Sequence, residues 1–228
     1  MSRPVTILAA LAVVAVAALV PTPVAAAGPV DSSLTIFYWD SEFEMEGGTG
    51  LVEDSAGNWG LDGSLWIHEK FGIAAAFYRT DLDDLPGATD DTDDVSLDFK
   101  YKLFSPTDKN FIAIGVGWQE AGLTITSALG DTSGPRLVGE AGVGFKQVNA
   151  YGRIAYMPFM DDIDPSVGPT LEDVEAVEFE VGVQWRVAPF LHFRLAWHSI
   201  EFDMEAQGSG AEVTTTSDGL VLGVGVHF

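Results

Sequence analysis

The sequence predicts an all-β protein, an antiparallel up-and-down β-barrel of ten strands that crosses a membrane. Three observations predict this fold. Hydrophobic residues alternate with a period of two over most of the chain, they make up 47% of its 228 residues, and the segments between the alternating stretches are short and long in turn. An even number of strands, with short turns at one end and long loops at the other, is typical of membrane-spanning barrels.

Residues 1–27 have the pattern of a secretory signal peptide. Arg3 is their only charged residue, an apolar run covers 5–20, and small residues that suit cleavage end the segment at Ala27. The apolar run has about 16 residues, fewer than the roughly 20 that a spanning helix needs. The sequence therefore favours cleavage over an N-terminal anchor, and residues 28–228 form the predicted barrel.

Alternation is clearest in the last predicted strand, where every second residue from Leu220 to Phe228 is apolar. The ten predicted strands cover 34–45, 58–67, 70–81, 94–104, 110–124, 135–147, 150–159, 175–187, 190–203 and 217–228. The pattern is blurred in 34–45, because large apolar side chains occur on both faces there. Eight strands therefore stay open as an alternative to ten.

A secreted β-sandwich would show the same alternation, and two features favour the barrel. The face opposite the apolar one is rich in glycine and alanine, which weaken a water-exposed strand but suit the crowded interior of a narrow barrel. Aromatic residues also cluster near the strand ends, where membrane barrels carry interfacial girdles. The girdle candidates are Trp59, Phe71, Phe77, Tyr101, Trp118, Phe145, Trp185, Phe193, Trp197 and Phe228.

The signal peptide, the alternating strands, the acidic loops and the final Phe228 together resemble the small outer-membrane β-barrels of Gram-negative-type bacteria, of the general OmpA-, OmpX- and OmpW-like type. The resemblance covers 28–228 in architecture. It implies a location in the bacterial outer membrane, with outer-membrane lipid and lipopolysaccharide as surroundings. It also implies a signal for the outer-membrane assembly machinery, formed by Leu220, Leu222, Val224, Val226 and Phe228.

If the apolar face meets lipid, the charged residues of the other face point into the lumen. The predicted lumen charges are Lys100, Lys102, Lys146, Arg153, Arg186, Arg194, Glu42, Glu44, Asp98, Glu140, Glu178 and Glu180. The basic ones lie near short turns, and several of the acidic ones lie near long loops, which predicts a lumen that is basic at its periplasmic end and acidic at its outer end. Such charges either pair and plug the barrel or line a narrow path for small solutes.

The charge of the chain is strongly acidic, with 34 acidic against 11 basic residues, and there is no cysteine. This balance excludes nucleic acid as a partner, because phosphate binding needs clustered lysine and arginine. The acidic loops suggest either solvated surface charge, a surface binding or adhesion module, or weak divalent-cation binding through carboxylate oxygens. Candidate ligands are Asp90, Asp91, Asp93, Asp94, Asp161, Asp162 and Asp164.

The sequence contains no catalytic motif that stands out. His198 and Ser199 lie close to Glu201, but neighbours on a strand point to opposite faces and cannot act together as base and nucleophile. We therefore expect no enzyme and no cofactor. The predicted role is structural or narrow-pore transport of small solutes, with surface binding and an outer-membrane hydrolase as the alternatives.

Overall fold

The computed structural model describes residues 31–47, 50–67, 70–81, 92–107, 109–125, 128–165 and 169–227. They form ten antiparallel strands that close into one barrel, in which the first strand pairs with both the second and the last. The strands are β1 (Asp31–Gly47), β2 (Gly50–Ile67), β3 (Phe71–Asp81), β4 (Thr92–Thr107), β5 (Asn110–Ile125), β6 (Ala128–Phe145), β7 (Val148–Met157), β8 (Leu171–Ala188), β9 (Leu191–Ala206) and β10 (Ala211–His227).

The prediction of an all-β barrel with ten strands is confirmed, and the alternative of eight is excluded. The predicted signal peptide lies outside the described residues. Within the described part of the chain, no helix is long and apolar enough to cross a bilayer. We call the end of the barrel at Asp31 and His227 the terminal end, and the opposite end the distal end.

The strands reach further at the distal end than the sequence predicted. β1 continues to Gly47 and β2 already begins at Gly50, so most of the loop predicted at 46–57 belongs to two strands. The loop predictions for 125–134 and 204–216 are also wrong, because most of these residues belong to β6, β9 or β10. The longer connections at this end lie between β3 and β4 and between β7 and β8.

Apolar side chains change face along the strands, which explains these extra strand residues. In β9, Leu195 and Trp197 point outward and are almost half exposed, whereas Ile200 and Phe202 are buried inside the barrel. Near the terminal end the surroundings are lipid and the interior is polar, so the apolar face is the outer one. Distally the outer face is polar, Glu201 included, and the apolar face is the inner one, as in a water-soluble barrel.

Outward side chains form a continuous apolar belt around the terminal part of the barrel. In β8 the belt runs from Val177 to Trp185, and each of its five outward residues is more than 40% exposed. Eight residue steps of about 3.3 Å, tilted by about 40°, give about 20 Å between its first and last Cα atoms, and the side chains extend the belt toward the roughly 25 Å of a membrane barrel. Aromatic side chains border it, including Tyr38, Trp59, Trp118, Tyr156 and Trp197 on the distal side and Phe71, Phe145, Trp185, Phe190 and Phe193 on the terminal side.

The distal part of the interior contains an apolar core. This distal cluster consists of Phe37, Trp39, Met45, Ala121, Leu123, Met157, Met160, Ile163, Leu171, Val174, Ala176, Ala196, Ile200, Phe202, Met204, Ala206 and Val221. Residues 158–165, between β7 and β8, complete the wall beside it. The backbone amide of Met160 donates to the carbonyl of Val174 at 3.0 Å, and that of Asp161 to the carbonyl of Ser133 at 2.8 Å.

Candidate functional site

A network of buried ion pairs crosses the lumen on the terminal side of the distal cluster. At its centre Arg136 of β6 is only 1% exposed. Its Nη2 donates to Oε2 of Glu178 at 2.9 Å, its Nη1 donates to Oε1 of Gln119 at 2.6 Å, and its Nε lies 3.1 Å from Oδ1 of Asp98. One guanidinium therefore serves two carboxylates that come from β8 and β4.

The lumen network continues through two further arginines. Arg153 of β7 places its Nη2 2.7 Å from Oε1 of Glu178 and 3.7 Å from Oε2 of Glu180. Arg194 of β9 forms ion pairs with Glu180 and with Asp62 of β2. Because β2, β4, β6, β7, β8 and β9 all contribute side chains, the network joins strands that are not neighbours in the wall.

Small wall residues leave the space that the lumen network fills. A Cβ atom at Gly117 of β5 would lie closer than 3.0 Å to Oδ1 of Asp98 and to the carbonyl oxygen of Leu97. The glycines of the inner face thus leave room for the large charged side chains of neighbouring and facing strands. This is the crowded interior expected of a narrow barrel.

A cavity of about 480 Å³ lies between the lumen network and the terminal end. Six cationic side chains line it, together with the amides of Gln147, Asn149 and Gln184. The six are Lys100, Lys102, Lys109, Arg153, Arg186 and Arg194. Asp31 and His227, which lie at the terminal end itself, are also part of its wall.

Comparison with protein-family models and with curated proteins gives no match. Solved structures do match. The outer membrane protease OmpT from Escherichia coli is similar with a TM-score of 0.59 and 11% sequence identity, over 87% of this chain and 96% of that chain. This chain has the fold of an outer-membrane β-barrel. Its apolar belt agrees with a location in the bacterial outer membrane. Because membrane barrels have their short turns on the periplasmic side, we call the terminal end the periplasmic end.

Two further solved structures are similar to this outer-membrane barrel. The translocator domain of the autotransporter NalP from Neisseria meningitidis has a TM-score of 0.41 and 13% identity, over 96% of this chain and 97% of that chain. Ail, the attachment invasion locus protein of Yersinia pestis, has a TM-score of 0.31 and 13% identity, over 88% and 100%. At 11% identity the likeness to OmpT shows the fold alone, and the protease activity in its name is not transferred with it.

The outer-membrane barrel brings most of the predicted lumen charges together. Those inside are Lys100, Lys102, Arg153, Arg186, Arg194, Asp98, Glu140, Glu178 and Glu180. The prediction is wrong for Lys146, which is exposed in the turn between β6 and β7, and for Glu42 and Glu44, which are exposed on the outside of β1. In the distal part of β1 the inner face carries Phe43 and Met45, so the outer end of the lumen is apolar and not acidic as predicted.

Sequence reasoning missed two lumen residues of the outer-membrane barrel, Arg136 and Asp94. Arg136 follows a proline beside a predicted loop, and Asp94 was assigned to the loop acids, but both are buried inside. Each lies four residues from a lumen charge on its own strand, Glu140 and Asp98 respectively, and therefore shares its face. Continuing the two-residue alternation of each strand toward its distal end would have placed both residues on the inner face.

The predicted divalent-cation ligands do not converge. Asp93 forms an ion pair with Arg79 at 2.7 Å, and Asp94 is buried in the lumen. The carboxylates of Asp161 and Asp164 accept hydrogen bonds from nearby Ser133 and Thr170, and Asp162 is exposed. Asp90 and Asp91 lie outside the described residues, and no group of three or more potential ligands in the described part is arranged to hold a metal ion.

The histidines that the structure describes lie inside the outer-membrane barrel and not at its distal rim. Nε2 of His198 is 3.2 Å from Oε1 of Glu178 in the lumen network, while His192 and His227 lie near the periplasmic end with ring centroids 4.6 Å apart. His198 is buried and Ser199 is on the other face of β9, so they do not form a catalytic pair. His68 lies outside the described residues.

The last strand of the outer-membrane barrel presents the predicted assembly residues to lipid. Leu220, Leu222 and Val224 point outward in β10 and are about half exposed, and Val226 is partly buried. Phe228 lies outside the described residues. Recognition of this strand by the assembly machinery, and contact of the barrel with lipopolysaccharide, stay predictions.

Proposed function

We propose that this outer-membrane barrel is sealed, that it passes no solute through its lumen, and that it serves a structural role in the membrane. The observation that carries this proposal is the filling of the lumen in two consecutive layers. The lumen network occupies the membrane-embedded part, and the distal cluster closes the part beyond it.

Each layer opposes the passage of ions in a different way. A solute crossing the lumen network would have to separate carboxylates from guanidinium groups that are almost wholly buried, which leaves uncompensated charge. The distal cluster packs mostly apolar side chains across the lumen, which are poor substitutes for the water around an ion. Cavities next to these layers measure about 20 and 50 Å³, room for no more than a few water molecules.

Single-channel recording in planar lipid bilayers tests the sealed state. We expect no long-lived conductance steps from the refolded barrel, because both layers must open for a hydrated ion to pass. A general porin inserted under the same conditions is the positive control. Stable steps of reproducible conductance would overturn the proposal and favour a narrow pore.

A second role at the cell surface is favoured by the acidic outer wall of the distal part. We define this acidic wall by outward carboxylates of β1, β9 and β10, namely Asp40, Glu42, Glu44, Glu46, Glu201, Asp203, Glu205, Glu212 and Asp218. Glu42 lies opposite Asp218, and Glu205 opposite Glu212, although like charges facing one another weaken a sheet. No lysine or arginine lies within the distal stretches 40–46, 201–205 and 212–218 that carry these carboxylates.

We infer that the acidic wall attracts a cationic partner, as a surface binding module would. The test is binding of a lysine-rich peptide to barrels embedded in neutral lipid vesicles. We expect binding that weakens as salt is raised, and that falls severalfold when Glu42→Gln and Glu44→Gln are combined. Asp161→Asn combined with Asp162→Asn is the control, since it removes the same charge elsewhere on the distal end. Equal losses in both variants would mean that only net charge matters.

A further inference from the structure

Six cationic side chains line the cavity at the periplasmic end, and carboxylates of the lumen network pair with some of them. Arg153 and Arg194 reach it, but both are paired with carboxylates of the network. Lys100 is paired as well, with its Nζ 2.5 Å from Oε2 of Glu140. These three cations therefore form the distal boundary of the cavity, and nearby carboxylates compensate their charge.

Arg186 differs from the other arginines that the structure describes. Arg79, Arg136, Arg153 and Arg194 each have a carboxylate within 4.0 Å, whereas Arg186 has none among the described residues. Its Nη2 lies 3.4 Å from Nε2 of His227, and it is partly buried in the wall of the cavity. A guanidinium has five N–H donors, and a single contact with an imidazole leaves most of them available to an anion in the cavity.

Lys102 adds a second positive charge to the same cavity. Its Nζ lies 4.2 Å from the ring centroid of Trp66 and 4.9 Å from that of Phe111. Both rings are more than 90% buried, so they hold the ammonium group at the wall through cation–π contacts. The amide of Gln184 also lines the cavity and can supply a neutral hydrogen-bond donor.

We propose that the periplasmic cavity binds a small oxyanion, a phosphate or carboxylate group of a soluble periplasmic compound, with Arg186 as the principal ligand and Lys102 as the second. The closed wall keeps lipid headgroups out of the cavity. Because the lumen network and the distal cluster close the other side, the ligand enters and leaves through the periplasmic end. This site thus concerns binding and not passage, and it stands apart from the sealed state tested above.

Isothermal titration calorimetry of the refolded protein in detergent, with inorganic phosphate and with succinate, tests this site. We expect saturable binding of at least one of the two probes, and the stronger one identifies the preferred oxyanion. Arg186→Gln should weaken it at least about tenfold, the size expected for loss of a charge-assisted hydrogen bond, and Lys102→Met should weaken it severalfold.

Lys70→Gln is the matched control, because Lys70 is exposed at the same end and does not line the cavity. Its affinity should equal that of the unaltered protein. Circular dichroism during heating checks that all variants remain folded. The proposal is overturned if neither probe binds saturably below about 10 mM, or if Arg186→Gln binds as tightly as the unaltered protein.

Discussion

Arg136→Ala is expected to lower the free energy of unfolding by about 3–5 kcal/mol. The substitution leaves Asp98, whose side chain is only 3% exposed, without the guanidinium beside it, whereas Glu178 keeps its ion pair with Arg153. Burying an uncompensated carboxylate is far more costly than losing an exposed ion pair. Unfolding by urea in lipid vesicles, followed by tryptophan fluorescence, measures the loss.

Arg79→Ala is the control for this prediction. Its ion pair with Asp93 has side chains that are 38% and 18% exposed, so the expected loss is about 0–1 kcal/mol. A double variant that combines Arg136→Ala with Asp98→Ala should lose less free energy of unfolding than the sum of the two single substitutions, because the two residues form an ion pair with each other. A loss below about 1 kcal/mol for Arg136→Ala alone would show that the lumen network does not hold the barrel together.

The lumen network also shows how far the sequence can predict a site of this kind. Strand periodicity predicts correctly that Asp98, Glu178 and Arg194 point inward, because residues two apart share a face. It cannot predict which side chains meet across the lumen. Arg194 pairs with Asp62, 132 residues away in the chain, and only the closure and the register of the whole barrel bring them together.

The distal end was mispredicted for a physical reason that can itself be read in the sequence. The interpretation assumed that apolar residues face lipid along the whole strand, which placed Glu42 and Glu44 in the lumen. In β9, however, the apolar residues change from Trp197 and its odd-numbered neighbours to Ile200 and its even-numbered neighbours. This change marks the point where the wall leaves the membrane, since water replaces lipid outside and an apolar core replaces the charged lumen.

The same change of face explains where the excess negative charge lies. Asp98, Glu140, Glu178 and Glu180 in the membrane part are each paired with arginine or lysine, because a buried unpaired charge is costly there. The acidic wall faces water, where carboxylates need no partner. The acidic wall therefore carries its negative charge where it costs least and where a cationic partner can reach it.

Gly219→Ala is expected to destabilise the barrel by about 3 kcal/mol, at the upper end of the cost of overfilling a packed site. A Cβ atom at Gly219 would overlap the carbonyl oxygen of Asp40 and lie 2.8 Å from Cα of Ser41. These are backbone atoms of β1, which cannot rotate away as a side chain could. The two strands would have to separate at the seam where β1 and β10 close the barrel.

Gly152→Ala is the matched control for the seam, because it also adds one methyl group to a strand glycine. The nearest atom to its Cβ would be the carbonyl oxygen of Glu180 at 3.9 Å, an ordinary contact. Electrophoresis of unheated samples, in which folded barrels migrate differently from unfolded chains, gives the folded fraction of each variant. Equal folded fractions for Gly219→Ala and Gly152→Ala would contradict the steric explanation. A selective loss for Gly219→Ala would show that closure of the last strand on the first depends on a residue without a side chain.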